Sequence, residues 1–225
     1  MELYLIEARY PGEVADIREF VQPGAAPVIL LYNELVDRFG TSPDALTLGA
    51  WEWMIDHVAY PVTVEGAPTD YHYMEAYEKS LSGPSKPQVA LAAPTEFFEF
   101  PAEVLNRNIM MADCDGRAVT LASVLRNFLP PEQVRVHIGT LADLGGHAWV
   151  TVSATNGTVY LLETTLSRFP KSPWVTVEQR AQTHNGHFAF NDQVVDGNYT
   201  ELVRRVGGIA KISFLEGCYE REGAY

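Results

Sequence analysis

Apolar residues follow a helical period in the first half of this chain and an alternating period in the second half. From Val28 to Phe39, and again from Pro43 to about Val58, apolar residues recur every three or four positions, which predicts two amphipathic helices. Gly40 is suited to ending the first helix, and Ser42 with the proline after it is suited to beginning the second. A further short helix is expected at Pro101–Leu105.

A third long helix is predicted to begin at Asp113 and to place a cysteine, Cys114, in its first turn. Aspartate is a favoured N-cap residue, because its carboxylate accepts hydrogen bonds from free backbone N–H groups. A thiol at a helix N-terminus lies at the positive end of the helix dipole, which favours the nucleophilic thiolate. One apolar stripe runs along this helix: Ala118, Leu121, Ala122, Leu125 and Phe128.

The second half of the chain alternates apolar and polar residues, which indicates half-buried strands. Strands are predicted at Val134–Ile138, at about 147–154 and 158–164, at Phe188–Phe190 and at Ile209–Phe214. Leu141–Gly146 is expected to be a flexible loop. Helices followed by strands of this kind predict an α+β fold in which the cysteine-bearing helix packs on an antiparallel sheet.

Three residues of this predicted core fit nucleophilic catalysis: Cys114 on the helix, His147 on one strand and Glu163 on the next. A cysteine nucleophile needs a base, and the base needs an acceptor that orients its ring. His137 is a competing candidate for the base. Its position among alternating apolar residues, with Arg135 on the same face, instead indicates the solvated side of the sheet.

The pairing of the two strands decides whether His147 and Glu163 can meet, because side chains alternate between the faces of a sheet. A three-residue loop, Thr155–Gly157, would pair Ala154 with Thr158 and place Glu163 diagonally from His147 on the same face. A two-residue Asn-Gly turn would place the carboxylate behind the sheet. A triad therefore requires the odd loop, with Gly157 at positive φ.

These motifs resemble the transglutaminase-like superfamily, cysteine enzymes with a papain-like core, and in particular its bacterial cysteine peptidases. The resemblance rests on Asp-Cys-Asp-Gly at 113–116, Gly-His-Ala-Trp at 146–149 and Leu-Glu-Thr-Thr at 162–165, within a segment from about 46 to 165. It implies hydrolysis of a peptide or amide bond through a Cys114 thioester, with His147 as base and Glu163 as orienting acid. Many members of the superfamily carry aspartate where this chain has Glu163.

The same resemblance leaves two other functions open: transamidation of protein glutamine, and a non-catalytic peptide-binding or assembly module. Asn108 precedes Cys114 by six residues, a separation at which papain-type enzymes carry a glutamine that donates to the oxyanion. We therefore take Asn108, together with Trp149, as a candidate for oxyanion or substrate contacts, although a turn is the ordinary role of such an asparagine. The expected partner is a peptide or protein substrate.

Other motifs indicate no metal and no cofactor. The segment His184–His187 lacks a second pair of ligands at metal-site spacing, and we expect it to form a polar turn. The acids at 192 and 196 do not match a calcium-loop spacing. Phosphate-loop and dinucleotide-binding fingerprints are absent from the sequence.

Charge and cysteine content narrow the partners and the compartment. A net charge of −13 opposes binding to nucleic acid or to an anionic membrane. Neither a signal peptide nor an apolar run of membrane-spanning length is apparent, so a cytoplasmic location is expected. The chain has two cysteines, Cys114 and Cys218, and both are expected to be free thiols because a disulfide would silence the nucleophile.

The positions of proline and glycine residues suggest that the chain is divided into two structural parts. Residues 1–40 are interpreted as an N-terminal extension that packs on the core, and residues 41–225 as the transglutaminase-like domain. The oligomeric state and the substrate cannot be inferred from these patterns.

Overall fold

The computed structural model describes residues 4–6, 15–61, 98–142, 145–165 and 173–197. Its helices lie mainly in the first part of this range and its sheet in the second. The predicted strand at Ile209–Phe214 and the thiol of Cys218 lie outside the described residues. Cys114 is a free thiol.

The predicted helices are confirmed with small changes at their ends. Gly40 follows the first long helix with a φ of 75°, a conformation that glycine adopts without strain. The second begins after Ser42, whose side chain makes no capping hydrogen bond, so Pro43 marks this start through its fixed φ. In chain order the helices are α1 (Ala26–Phe39), α2 (Pro43–His57), α3 (Pro101–Leu105), α4 (Cys114–Leu125) and α5 (Val177–Arg180), with a 3₁₀ turn at Ile17–Phe20.

The strands form a small two-stranded ribbon and one antiparallel sheet of six strands. The ribbon pairs β1 (Leu5–Ile6) with β2 (Ala15–Asp16). The sheet has the order β6-β5-β4-β3-β7-β8. Its strands are β3 (Val134–Leu141), β4 (Gly145–Ser153), β5 (Val159–Leu162), β6 (Val175–Thr176), β7 (His184–Phe190) and β8 (Val195–Gly197). Helix α4 packs on β3 and β4, so the predicted α+β arrangement is confirmed.

The hairpin between β4 and β5 has the odd loop that the sequence analysis requires. Val150 pairs with Leu162, and Ser153 pairs with Val159. The Ala154 N–H donates to the Thr158 carbonyl at 2.8 Å, and Gly157 has a φ of 83°. Since the register is the predicted one, the strand position of Glu163 is diagonal to that of His147.

The expected flexible loop at Leu141–Gly146 is wrong for Leu141, Gly145 and Gly146, whereas Asp143 and Leu144 lie outside the described residues. Leu141 pairs with Gly145, and Thr140 pairs with Gly146, so β3 and β4 continue almost to their connection. The two glycines that suggested a loop lie instead in a strand. Their backbone N–H and C=O groups are paired across the ladder, which stabilises extended backbone even without side chains to pack.

One hydrophobic core joins the N-terminal elements, the helices and the inner face of the sheet. Ile17, Phe20 and Leu35 belong to the same buried cluster as Leu121 and Val150. Helix α1 packs against α2, α3 and α4. The division of the chain at residue 40 stays a prediction. Among the described helices, none combines the length and the apolar character needed to cross a membrane, and the cytoplasmic location also stays a prediction.

Candidate active site

Cys114 is the first residue of α4, and it is half-buried there. The N-cap residue is Asp113, whose carboxyl group accepts a hydrogen bond from the Gly116 N–H at 3.3 Å. The thiol therefore lies at the N-terminus of α4, which is the positive end of a helix dipole. This local structure follows directly from the Asp-Cys-Asp-Gly sequence, and it favours the thiolate.

Acidic side chains crowd the start of the same helix. Burial, followed by Asp115 and Glu99, raises the pKa of Asp113 well above its usual range, so Asp113 is held towards its neutral form. Gly116 is required here because a Cβ would lie 2.8 Å from Glu99 Oε2.

His147 and Glu163 meet across the hairpin. The Nε2 atom of His147 lies 2.8 Å from Glu163 Oε2, and both side chains are buried. The Trp51 indole N–H on α2 donates to the Glu163 carbonyl at 2.8 Å, which ties the backbone after β5 to the helical layer. The two residues are sixteen positions apart in sequence, and the odd hairpin loop is what brings their side chains together.

Glu163 is held as a carboxylate. Its Oε2 also lies 3.2 Å from His184 Nε2, and its Oε1 accepts the Thr165 backbone N–H at 2.7 Å. Burial alone would raise the pKa of Glu163, but the charge of His147 and the hydrogen bonds from His147, His184 and Thr165 hold it well below its usual range. Because a carboxylate can only accept, both histidines donate their Nε2–H to it.

Arg117 lies one turn along α4 from the cysteine, and the charges of Glu163, Tyr60 and Cys114 favour the charged form of its guanidinium. Burial lowers the pKa of Arg117 to about 10, so it remains cationic at neutral pH. Its Nη2 donates to the Met54 carbonyl at 3.2 Å. The helix that carries the thiol therefore also carries a buried guanidinium that interacts electrostatically with Glu163 and Cys114.

Trp149 is the centre of a cluster of rings on the same face of the sheet. It stacks on His147 at 6.1 Å and on His137 at 5.7 Å between ring centroids, and it meets His184 edge-on at 5.0 Å. A Cβ on Gly139 would lie 2.7 Å from this indole ring, so the glycine leaves the space that the ring fills. The cluster restrains both histidines that donate to Glu163.

The remaining predicted residues differ in their surroundings. Asn108 is exposed in the turn that follows α3, and its proposed contact with an oxyanion stays a prediction. Trp149 is 3% exposed, and its role in substrate binding likewise stays a prediction. His137 is half-buried, like Arg135, on the less buried face of β3, which agrees in part with the expected solvated side. It stacks on Trp149, and burial, followed by Arg135, lowers its pKa to about 4.

His184 was not among the site residues predicted from the sequence. The segment His184–His187 is not a polar turn but the first part of β7, and His184 is 7% exposed. Strand β7 pairs with β3, with a bulge between Ile138 and Gly139, and this pairing carries His184 to the acid. The polar run His-Asn-Gly-His hides the strand, and the only available signal was the apolar Phe-Ala-Phe that follows it.

The described residues contain one cluster that could hold a metal ion: His147, Glu163 and His184, whose ligand atoms lie within 4.8 Å of one another. Two histidines and one carboxylate are typical ligands of zinc or iron. Glu163 also has the guanidinium groups of Arg117 and Arg180 nearby. These cations offset the negative charge of the carboxylate and oppose a further dication.

Comparisons with known proteins identify structural neighbours but no family. No protein-family model matches the chain, and no curated protein matches it. Among solved structures, Legionella pneumophila LapG after EGTA treatment aligns with a TM-score of 0.49 and 14% identity, over 75% of this chain and 74% of that chain. Calcium-bound LapG from the same organism aligns with a TM-score of 0.49 and 14% identity, over 80% and 89%. A third LapG structure from this organism aligns with a TM-score of 0.49 and 12% identity, over 84% of this chain and 86% of that chain.

Proposed function

We propose that the chain is a thiol-dependent enzyme that hydrolyses a peptide or amide bond through a thioester on Cys114. The observation that carries this proposal is the buried hydrogen bond of 2.8 Å between His147 and Glu163. A histidine oriented by a carboxylate, next to a helix that begins with a cysteine, is the arrangement that activates a thiol nucleophile.

The hydrogen bonds of Glu163 determine which nitrogen of His147 acts as the base. Since Nε2 carries the proton donated to the carboxylate, the lone pair of the neutral ring is on Nδ1. In the proposed first step, Nδ1 takes the proton of the Cys114 thiol, and Glu163 stabilises the resulting imidazolium. Arg117 and the N-terminus of α4 stabilise the thiolate.

The thiolate then attacks the carbonyl carbon of the scissile bond and forms a C–S bond, while the carbonyl π electrons move to oxygen. The N–H groups at the start of α4 are suited to receive this negative oxygen. As the tetrahedral intermediate collapses, the C–N bond breaks and the amine leaves with the proton from His147 Nδ1. Water next attacks the thioester carbonyl and gives its proton to Nδ1. The C–S bond then breaks, the proton passes from Nδ1 to the Cys114 sulfur, and the carboxylic acid leaves.

Transamidation would follow the same steps with an amine in place of water, so one experiment separates the two. The protein is incubated with casein and a primary amine, and intact mass is measured for wild type and Cys114→Ala. Hydrolysis predicts casein fragments with wild type only. Addition of the amine to intact casein would indicate transfer, and identical traces for both proteins would favour the non-catalytic binding module.

A further inference from the structure

We infer that His184 is a positioning residue for the proposed reaction. It fixes the Glu163 carboxylate so that Glu163 can orient His147. This inference rests on the proposed function. The acid would then be held between two histidines from different strands, His147 of β4 and His184 of β7.

The contacts of His184 fix its ring on several sides. Its Nε2 lies 3.2 Å from Glu163 Oε2, and its Nδ1 lies 2.9 Å from Thr183 Oγ1. The edge-on contact with Trp149, at an interplanar angle of 82°, restrains the plane of the ring. With 1% of its side chain exposed, His184 has little freedom to turn away from the acid.

Glu163 needs such support because it lies beyond the last residue of β5, outside the strand ladder. Its side chain has more rotatable bonds than an aspartate, so ordering it costs more conformational entropy. The Thr165 N–H holds Oε1, and the two histidines share Oε2. Together these donors define both the position and the plane of the carboxylate, which a single bond to His147 would leave free to rotate.

The backbone pairing of β3 and β7 brings His184 close to Trp149 and Glu163. His184 pairs with Leu141 at the end of β3, just past the bulge at Ile138 and Gly139. A Cβ on Gly139 would lie 2.1 Å from the Asn185 carbonyl oxygen. The glycine therefore permits the close contact of β3 with β7 that brings His184 up to Trp149 and the acid.

Two substitutions of His184 distinguish the effect of its N–H donor from the effect of its aromatic ring. His184→Phe keeps an aromatic ring against Trp149 but removes the N–H, whereas His184→Gln keeps an N–H near the position of Nε2. Thr183→Val removes the hydroxyl on the other side of the ring and serves if His184→Phe does not fold. His187→Phe is the matched control, because it makes the same change in the same strand, three residues along from His184.

The first readout is the rate at which iodoacetamide alkylates Cys114 at pH 6, followed by peptide mass spectrometry. Losing one hydrogen bond to a charged group should slow alkylation about 10- to 100-fold in His184→Phe. His184→Gln should recover most of that loss, and Thr183→Val should show a smaller decrease. His187→Phe should match wild type within about twofold. Equal rates in wild type and His184→Phe would overturn the inference.

The second readout does not depend on thiol chemistry. In ¹⁵N-histidine-labelled protein, the hydrogen-bonded Nε2–H of His147 should give a downfield proton signal, assigned by its loss in His147→Ala. The signal should weaken in His184→Phe and return in His184→Gln. If wild-type Cys114 shows no enhanced reactivity, the proposed function fails, whereas an unchanged signal in His184→Phe refutes the positioning role by itself. Wild-type protein purified with one bound zinc that His184→Phe loses would also overturn it in favour of a metal site.

Discussion

Replacing Glu163 by glutamine is the sharpest test of the site, because it removes the charge with almost no change in shape. The carboxylate accepts both histidine Nε2–H groups on one oxygen and the Thr165 N–H on the other. An amide has one acceptor and one donor end. If its oxygen faces the histidines, its NH₂ meets the Thr165 N–H. If its NH₂ faces the histidines, the proton of His147 must move to Nδ1, which then cannot act as the base.

The expected magnitude follows from the bond that is lost. A hydrogen bond to a charged group contributes about 1.5–3 kcal/mol, and it is the imidazolium form of His147 that gains most from the Glu163 charge. Since 1.36 kcal/mol corresponds to a factor of ten, the proposed ion pair of Cys114 and His147 should be about 10- to 150-fold less populated in Glu163→Gln. The rate of Cys114 alkylation by iodoacetamide at pH 6 should fall by the same factor.

The assay needs no knowledge of the substrate. Alkylation of the Cys114 peptide is followed from pH 4 to 9, a range of about five units. The range is chosen to include the pH values at which the proposed thiolate–imidazolium pair forms and those at which it is lost. Glu132→Gln is the matched control, since Glu132 is exposed and the same change there should leave the rate unaltered. A profile for Glu163→Gln that overlays wild type would refute the role of Glu163 as the orienting acid. Asp143 and Asp115 would then be the next candidates.

Three other predictions test the site and the fold. Cys114→Ala should abolish turnover in the casein assay and leave the melting temperature within about 2 °C of wild type, because the half-buried thiol makes a small packing contribution; a residual rate would implicate another nucleophile. Because the pKa of Glu163 is lowered, its ionised form stabilises the fold above the ordinary pKa of 4.5, and that contribution is lost as the pH falls below this value. Chemical denaturation at several pH values should therefore show that the difference in unfolding free energy between wild type and Glu163→Gln narrows below about pH 4.5. A difference that stays constant with pH would contradict this. Gly139→Ala should destabilise the protein by about 2–4 kcal/mol, since its Cβ would lie 2.1 Å from the Asn185 carbonyl oxygen; an unchanged melting temperature would show that β3 and β7 can separate there without cost.

Interactions between residues close in sequence were sufficient to predict the helices and one hairpin. Asp113 before Cys114 predicts a capped helix start, and Gly40 predicts a helix end, because capping involves groups within a few residues of one another. The register of β4 and β5 was also predictable. Their connection is short, and the positive φ of Gly157 together with the alternation of side chains leaves one arrangement that joins His147 to Glu163.

The tertiary structure alone decided which other groups surround the acid. His184 pairs with Leu141, more than forty positions earlier, and such a long-range register leaves no local pattern. The backbone pairing of Gly145 and Gly146 across the sheet likewise overrode their loop-like composition. Arg117 was recognisable only as a residue within the helix, and the packing of α4 on the sheet is what allows its charge to interact with that of Glu163. The sequence by itself thus determined the nucleophile, the base and the acid as candidates, whereas the non-local pairing of β3 with β7 and the packing of α4 decided their electrostatic surroundings.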